Sequence, residues 1–241
     1  MPPPRRFSSL HLLLAALLCA TLGAWAASAW NKQPTRVIRA FHLWYHANGA
    51  TTYNNTSWLG VPTQKTPLDL WIFQEILADI KPDVLVEAGT YKGGSAHYFA
   101  SLFDLLGHGR VVTVDIEDYP NKPKHARVSF LLGSSTSPEI IGKVRAAIRP
   151  GETVMVTLDS DHHKDHVLSE LNLYSPLVTP GSYLVVEDTQ FNGNPILPNH
   201  GPGPMEAVQE FLASNRDFQP DRSREKFGMT FNPSGYLKRI R

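Results

Sequence analysis

Three carboxylates stand where the chain leaves an apolar run: Asp159 in "TLDSDHHKDH", and Glu187 and Asp188 in "VVEDT". Short apolar runs of this kind read as buried strands, so acids at their ends meet above one edge of a sheet. Carboxylates brought together repel one another unless protons or a cation lie between them. Oxygen-only ligands favour Mg²⁺, Mn²⁺ or Ca²⁺ over zinc. Asp159, Glu187 and Asp188 are therefore the candidate ligands of a divalent metal; the alternative is that Glu187 and Asp188 cap the segment that follows. His162, His163 and His166 lie just beyond Asp159. His162 and His166 are four apart and would share a helix face, as zinc ligands can. The alternative there is a solvated helix start.

A second stretch able to do chemistry is "VEAGTYKGGSAHYFA", residues 86–100. Its glycine-rich turn lies between an apolar run and a helical pattern, a place that suits a nucleotide. A phosphate loop needs Lys and then Ser or Thr directly after the last glycine. Here Lys92 precedes Gly93 and Gly94. A dinucleotide fingerprint needs G-x-G-x-x-G, and the second glycine of that spacing is missing. S-adenosylmethionine fits better. It has no phosphate and carries a sulfonium and an amino-acid head, whose cationic end Glu87 would attract. Gly89 lets a ligand approach the backbone, and N–H groups at the start of the next helix would hold its carboxylate. Asp115 ends the following apolar run, where it would accept hydrogen bonds from both ribose hydroxyls. Gly133 and Ser134 in "LLGSS" would form a platform near the adenine. The candidate cofactor residues are Glu87, Gly89, Thr90, Gly93, Ser95, Asp115, Gly133 and Ser134. For the glycines alone a tight strand-to-helix turn is the plainer reading, and for Asp115 alone an ordinary strand-end acid.

The elements that must position these residues alternate from Leu68 onward. "LDLWIFQEILADI" places Leu68, Ile72, Ile76 and Ile80 on one helix face. "DVLVEAG", "RVVTVDI", "ARVSFLLG", "TVMVTLDS" and "SYLVVEDT" read as strands. "SAHYFASLFDLL", "PEIIGKVRAAI", "HVLSELNLYSPL" and "PMEAVQEFLASN" read as helices. Such alternation implies an α/β, doubly wound, mainly parallel sheet with helices on both faces. The tail "EKFGMTFNPSGYLKRI" reads as two strands joined by Asn232–Gly235, a C-terminal antiparallel hairpin.

With 241 residues and 42% hydrophobic content, the chain suits one globular domain with a full core. A net charge of +1 argues against bulk nucleic-acid binding. The one cysteine, Cys19, excludes an internal disulfide. Three segments are expected: an N-terminal hydrophobic anchor or signal over 1–31, an irregular extension and lid over 32–67, and the catalytic domain over 68–241. Leu10–Trp30 carries no charge and as a helix would span about 30 Å, a bilayer core. It reads as a membrane anchor with the catalytic domain cytosolic; the alternative is export after signal cleavage near Ala27 or Trp30. Arg5, Arg6, Lys32, Arg36 and Arg39 flank it on both sides, which leaves orientation open. Asn54 and Asn55 each begin an N-x-[ST] pattern, which matters only in a secretory lumen.

"WLGVPTQKTPLDLW", "VEAGTYKGGSA", "LLGSSTSPEI", "LDSDH", "SYLVVEDT", "GPGPMEAVQEFL" and "EKFGMTFNPSGYL" together resemble the cephalosporin hydroxylase family, which includes the rhamnosyl O-methyltransferases of glycolipid synthesis. The resemblance runs from about Trp58 to the C-terminus. It implies the class I S-adenosylmethionine-dependent methyltransferase fold, with a seven-stranded sheet whose antiparallel strand is inserted near one edge. It also implies a Mg²⁺ or Mn²⁺ site at Asp159, Glu187 and Asp188, as at three similar positions in catechol O-methyltransferase. That enzyme has a lysine three residues after its first metal acid. Here His162 holds that position and Lys164 follows two residues on, so these two are the candidate catalytic bases. The expected activity is O-methylation of a small-molecule or glycolipid-sugar hydroxyl, with "GVPTQKTP" and "NGNPILPNHGPGP" walling the acceptor. Partners are then expected to be the acceptor, a membrane through the N-terminal segment and a second copy of the chain, with no nucleic acid. The alternatives are an oxidative hydroxylase, which would need an iron site of two histidines and a carboxylate, and a tethered binding module without activity.

Overall fold

The computed structural model describes residues 9–241, with side chains described throughout from residue 35. The chain divides into two compact units, Met1–Phe41 and His42–Arg241. The described part of the first unit belongs to helix α1 (Ser9–Ala47). Among the described residues no helix is long and apolar enough to cross a membrane. This overturns the membrane-associated location expected from Leu10–Trp30. The helix does not stop where the apolar run ends. It continues through Lys32, Gln33, Arg36 and Arg39, which favour a helix, and also through Pro34, which does not. The flanking Arg5 and Arg6 lie outside the described residues.

The second unit opens with the end of α1, then two 3₁₀ turns and a short hairpin of β1 (Ser57–Trp58) and β2 (Val61–Pro62). Leu59 and Gly60, the two residues between them, both have positive φ, the geometry that matches strand twist in a two-residue hairpin. The expected irregular extension is thus helical through residue 47 and partly paired after it.

The remaining elements are α2 (Pro67–Ile80), β3 (Val84–Ala88), α3 (Gly94–Leu106), β4 (Arg110–Asp115), β5 (Val128–Leu132), α4 (Pro138–Ala146), β6 (Val154–Leu158), α5 (Lys164–Tyr174), β7 (Tyr183–Val186), α6 (Pro204–Ser214), β8 (Phe218–Pro220) and β9 (Tyr236–Arg239). The seven-stranded sheet has the order β5-β4-β3-β6-β7-β9-β8. β3 to β7 run parallel, and β9 is antiparallel to both neighbours. The alternation rule explains the two cores. Val84, Val86 and Ala88 point to one face, where they meet Ile140, Val144, Leu171 and Phe211 of α4, α5 and α6. Leu85 points to the other, against Phe73, Ile76 and Phe103 of α2 and α3. Glu87 shares the parity of Leu85 and is buried on that second face.

The tail hairpin exists, but its first strand is Phe218–Pro220 rather than part of Glu225–Phe231. The reason is a buried acid. Asp69 of α2 accepts hydrogen bonds from Thr230 Oγ1 (2.5 Å), the Phe231 backbone N–H (2.8 Å) and Tyr236 Oη (2.9 Å). Those contacts spend the segment on a helix rather than on a strand ladder.

Candidate functional site

From β3 the chain steps to β4 and β5 on one side, and β6 and β7 lie on the other. Strand order therefore reverses between β3 and β6, and ligands of open α/β sheets bind beyond the carboxyl ends of the strands at such a point. Gly89 leaves β3 there and Asp159 leaves β6. The Asp159 N–H donates to the Ala88 carbonyl at 2.7 Å, and the Gly89 N–H donates to the Val114 carbonyl at 2.9 Å. Gly89 has φ +99°, and a Cβ on it would lie 1.9 Å from the Asp159 carbonyl oxygen. Only glycine lets the two strand ends close in this way. Gly94 is similar: its Cβ would lie 2.0 Å from the Pro62 carbonyl oxygen, so the segment before α2 packs directly on the start of α3.

A cavity of about 620 Å³ opens at this edge, within the usual range for small-molecule sites. One side is the glycine turn with Gly89, Thr90 and Ser95. The far end has Asp115, Gly133 and Ser134. Asp159, His162 and Asp188 form the opposite side, and Tyr53 and Pro62 to Gln64 close it from the N-terminal segment. Asp115 Oδ2 accepts the Thr90 and Tyr91 N–H groups at 3.0 and 2.7 Å, and Oδ1 accepts that of Glu117 at 2.9 Å. The acid thus shapes the turn it faces.

Glu87 lies beneath the turn, outside the cavity lining. The parallel register sets it beside Thr113, whose hydroxyl donates to Glu87 Oε2 at 2.6 Å. Its Oε1 has no hydrogen-bond partner. Burial raises its pKa to about 7, opposed by Lys65, Ser95 and Thr113. Thr157 treats Glu187 likewise, donating to Oε1 at 2.8 Å.

The three strand-end acids do converge, and two cations meet them. Lys65 Nζ lies 2.8 Å from Asp159 Oδ2 and 2.5 Å from Glu187 Oε2. His162 Nε2 lies 2.7 Å from Asp188 Oδ2 and 3.7 Å from Asp159 Oδ1. Burial by itself would lower the His162 pKa; the hydrogen bond and charge of Asp188, with Asp159 and Glu187, outweigh it and hold it at about 9. The Glu187 carboxyl is pushed up to about 8 by burial and by Asp159, with Lys65 pulling the other way. Asp188 sits at φ +52°, a strained setting for a residue with a side chain. It is held there by Asn232, whose Oδ1 accepts the Asp188 N–H at 3.0 Å, and by Gln190, whose Nε2 donates to Oδ1 at 2.7 Å.

These residues fit both groups the sequence implied. An unpaired buried acceptor on Glu87, a turn without room for side chains and a pinned strand-end acid suit S-adenosylmethionine. Asp159, His162 and Asp188 each offer a ligand atom, all within 4.8 Å of one another, and the surplus of carboxylates suits a divalent cation.

A family model described as Rhamnosyl O-methyltransferase/CmcI matches residues 50–240. The chain belongs to the Rhamnosyl O-methyltransferase/CmcI family. The rhamnosyl O-methyltransferase of Mycobacterium tuberculosis is 38% identical over 226 residues, 90% of this chain and 91% of that protein. Among solved structures, apo CmcI superposes with a TM-score of 0.61 at 19% identity, over 78% of this chain and 77% of that one. CmcI with Mg and SAM gives 0.58 at 19% identity, over 78% of each. The fold is therefore the class I methyltransferase fold that the sequence implied.

Within this family framework, most sequence candidates gather at one cavity. Lys164 does not. Its ammonium pairs with Glu210 Oε2 at 2.6 Å across α5 and α6, away from the cavity lining. His166 lines the same cavity as His162 but does not pair with it. α5 starts only at Lys164, and His166 Nε2 lies 3.2 Å from Ser135 Oγ and 3.4 Å from Glu170 Oε1. Among the described residues, neither the zinc pair nor a two-histidine iron site forms. Of the two expected walls, "GVPTQKTP" lines the cavity. The other, residues 192–204, contributes no residue to the lining; Phe191, just before it, stacks on His162 with ring centroids 5.0 Å apart. Sequence reasoning missed Lys65, Asn232, Gln190 and Tyr53. Lys65 lies within "GVPTQKTP" and Asn232 opens the Asn232–Gly235 turn, two stretches marked in the sequence for other reasons.

Proposed function

We propose that this chain transfers a methyl group from S-adenosylmethionine to a hydroxyl oxygen of a small-molecule or glycolipid-sugar acceptor, with a divalent cation at the strand-end acids. The enzyme is an S-adenosylmethionine-dependent O-methyltransferase. The observation that carries this reading is the contact of Gly89 with Asp159, which sets the cofactor turn and the acidic site against each other in one cavity. Membership of the family supports it, as does the sugar acceptor named for the mycobacterial relative.

When bound, S-adenosylmethionine supplies an electrophilic methyl carbon, and a cation supplies positive charge to the acceptor oxygen. The chain's own residues do the rest. The glycine turn and Asp115 would hold the nucleoside; Glu87, buried beneath the turn, would contribute its charge on the side of the cationic head. Asp159 and Asp188 would hold the cation, with Glu187 completing the charge. With Asp188 engaged on a cation, His162 would lose the partner that keeps it protonated, and its Nε2 would then take the hydroxyl proton as the methyl group moves from sulfur to oxygen. Tyr53, Pro62 and Thr63 orient the acceptor and exclude water, so proximity contributes much of the rate. Incubating the protein with methyl-labelled S-adenosylmethionine and fractionated lipid and small-molecule extracts tests this. A labelled hydroxyl-bearing product is expected, and no label transfer to any fraction would refute it.

A further inference from the structure

Lys65 is 5% exposed, although it carries a full charge on a flexible side chain. Its ammonium bridges carboxylates from two different strand ends, Asp159 after β6 and Glu187 after β7. Removing a lysine from water is costly unless it is paired and hydrogen-bonded. Here the pairing is supplied by Asp159 Oδ2 at 2.8 Å and Glu187 Oε2 at 2.5 Å, both of which accept hydrogen bonds from its ammonium. Asp188 already has His162. Lys65 is therefore the cation that compensates the other two strand-end acids. It reaches them from the segment whose Pro62, Thr63 and Gln64 wall the cavity.

We propose that Lys65 is a built-in counter-cation of the acidic site: it holds Asp159 and Glu187 in place while no metal is bound, and it opposes the metal when one arrives. This rests on the reading of Asp159, Glu187 and Asp188 as a metal centre. Two positive charges then share one set of carboxylates, so the metal is held more loosely than the acids alone would hold it. Lys65 is a positioning residue, and the anchoring of residues 61–66 depends on it.

The test uses the full chain with Lys65→Met and Lys65→Arg, by calorimetric titration with Mg²⁺ and by thermal melts with and without Mg²⁺. Lys65→Met is expected to melt lower without metal, to recover more than the parent on adding Mg²⁺, and to bind Mg²⁺ about tenfold more tightly, a step of about 1.4 kcal/mol. Lys65→Arg keeps the charge and should keep the parent affinity. A folded Lys65→Met that binds Mg²⁺ as weakly as the parent, or more weakly, overturns the proposal while leaving the metal reading intact. If neither protein binds Mg²⁺, the metal reading fails and this inference with it. If Lys65→Met folds only when Mg²⁺ is present, that rescue supports the proposal. If it folds under neither condition, the parent decides: the ¹⁵N-lysine ammonium signal that Lys65→Arg removes should shift on adding Mg²⁺, and a signal unmoved at saturation overturns it.

Discussion

Adding one methyl group at Gly89 should damage stability and both halves of the site at once. In Gly89→Ala the new Cβ would lie 1.9 Å from the Asp159 carbonyl oxygen and 2.4 Å from its carbon, both backbone atoms that cannot rotate aside. The φ of +99° adds strain of its own, of about 1–3 kcal/mol. Forced overpacking adds about 1–3 kcal/mol more, so the total loss is about 2–6 kcal/mol. Gly107→Ala is the control. Gly107 also has positive φ, +69°, but a Cβ there meets nothing within 4 Å, so it should cost only about 1–2 kcal/mol. For a unit of this size the difference corresponds to melting points about 5–10 °C apart. The functional loss follows from the same geometry. Relief of the clash must lengthen the 2.7 Å bond from the Asp159 N–H to Ala88, and the Asp159 carboxylate moves with its backbone. Thermal melts, with calorimetry for S-adenosylmethionine and Mg²⁺, are the assay. A Gly89→Ala protein that melts with Gly107→Ala and binds both ligands as the parent does would show that the close approach of the strand ends is not what builds the site.

Asp115→Ala should weaken S-adenosylmethionine binding by about 1.5–3 kcal/mol, the range for hydrogen bonds to a charged group, and should also lower stability, because the Thr90 and Tyr91 N–H groups lose their acceptor; calorimetry and melts measure the two effects. Activity should vanish with a chelator and return with Mg²⁺ or Mn²⁺; full turnover in chelator would make the acids structural. His162→Ala should abolish turnover with metal still bound, whereas Lys164→Ala should retain it, since Lys164 serves Glu210 instead; kinetics of the two variants separate the candidate bases. Burial raises the Asp69 pKa from 3.8 to about 6, against the hydrogen bonds from Thr230, Phe231 and Tyr236. The folded state therefore binds the extra proton between those values, and its stabilising effect is present below pH 3.8 and lost as pH rises through 6. The loss is roughly 3 kcal/mol, read as the difference in urea-unfolding free energy between the parent and Asp69→Asn across that window.

The sheet was legible because its strands are buried on both faces and so are written as unbroken apolar runs, Val84–Ala88 and Val154–Leu158 among them. Their ends were legible for the same reason: an acid after such a run has no core to enter. Lys65 was not. "GVPTQKTP" has no period, and its place is set by the packing of Pro62 on Gly94, a contact between chain positions far apart. The tail misled in another way. "EKFGMTF" has strand-like residues, but Thr230 and Phe231 satisfy a buried acid, while the true edge strand is three residues ending in Pro220. A short strand bearing proline is a common edge, and a weak signal. The apolar run at Leu10–Trp30 was legible as composition, and composition did not carry the membrane reading drawn from it.

The antiparallel strand does more than finish the sheet. β9 pairs with β7, so the turn that precedes it must lie over the end of β7, where the acids leave the sheet. Gly235 is pressed there so closely that a Cβ would lie 2.1 Å from the Val186 carbonyl oxygen. That approach brings Asn232 to the Asp188 N–H at 3.0 Å. Asp188 gains from such a support, because its φ of +52° lies in the left-handed region that costs a residue with a side chain, aspartate less than most. The left-handed turn also aims its carboxylate back at His162, while Glu187, one residue earlier, faces Lys65. Two adjacent acids thus receive two different cations because the backbone between them turns, and the tail holds that turn. Asn232→Ala should therefore loosen Asp188 without touching any ligand. Weaker Mg²⁺ binding with unchanged S-adenosylmethionine binding is the expected result by calorimetry, and unchanged Mg²⁺ binding in a folded variant would show that Asp188 keeps its conformation unaided.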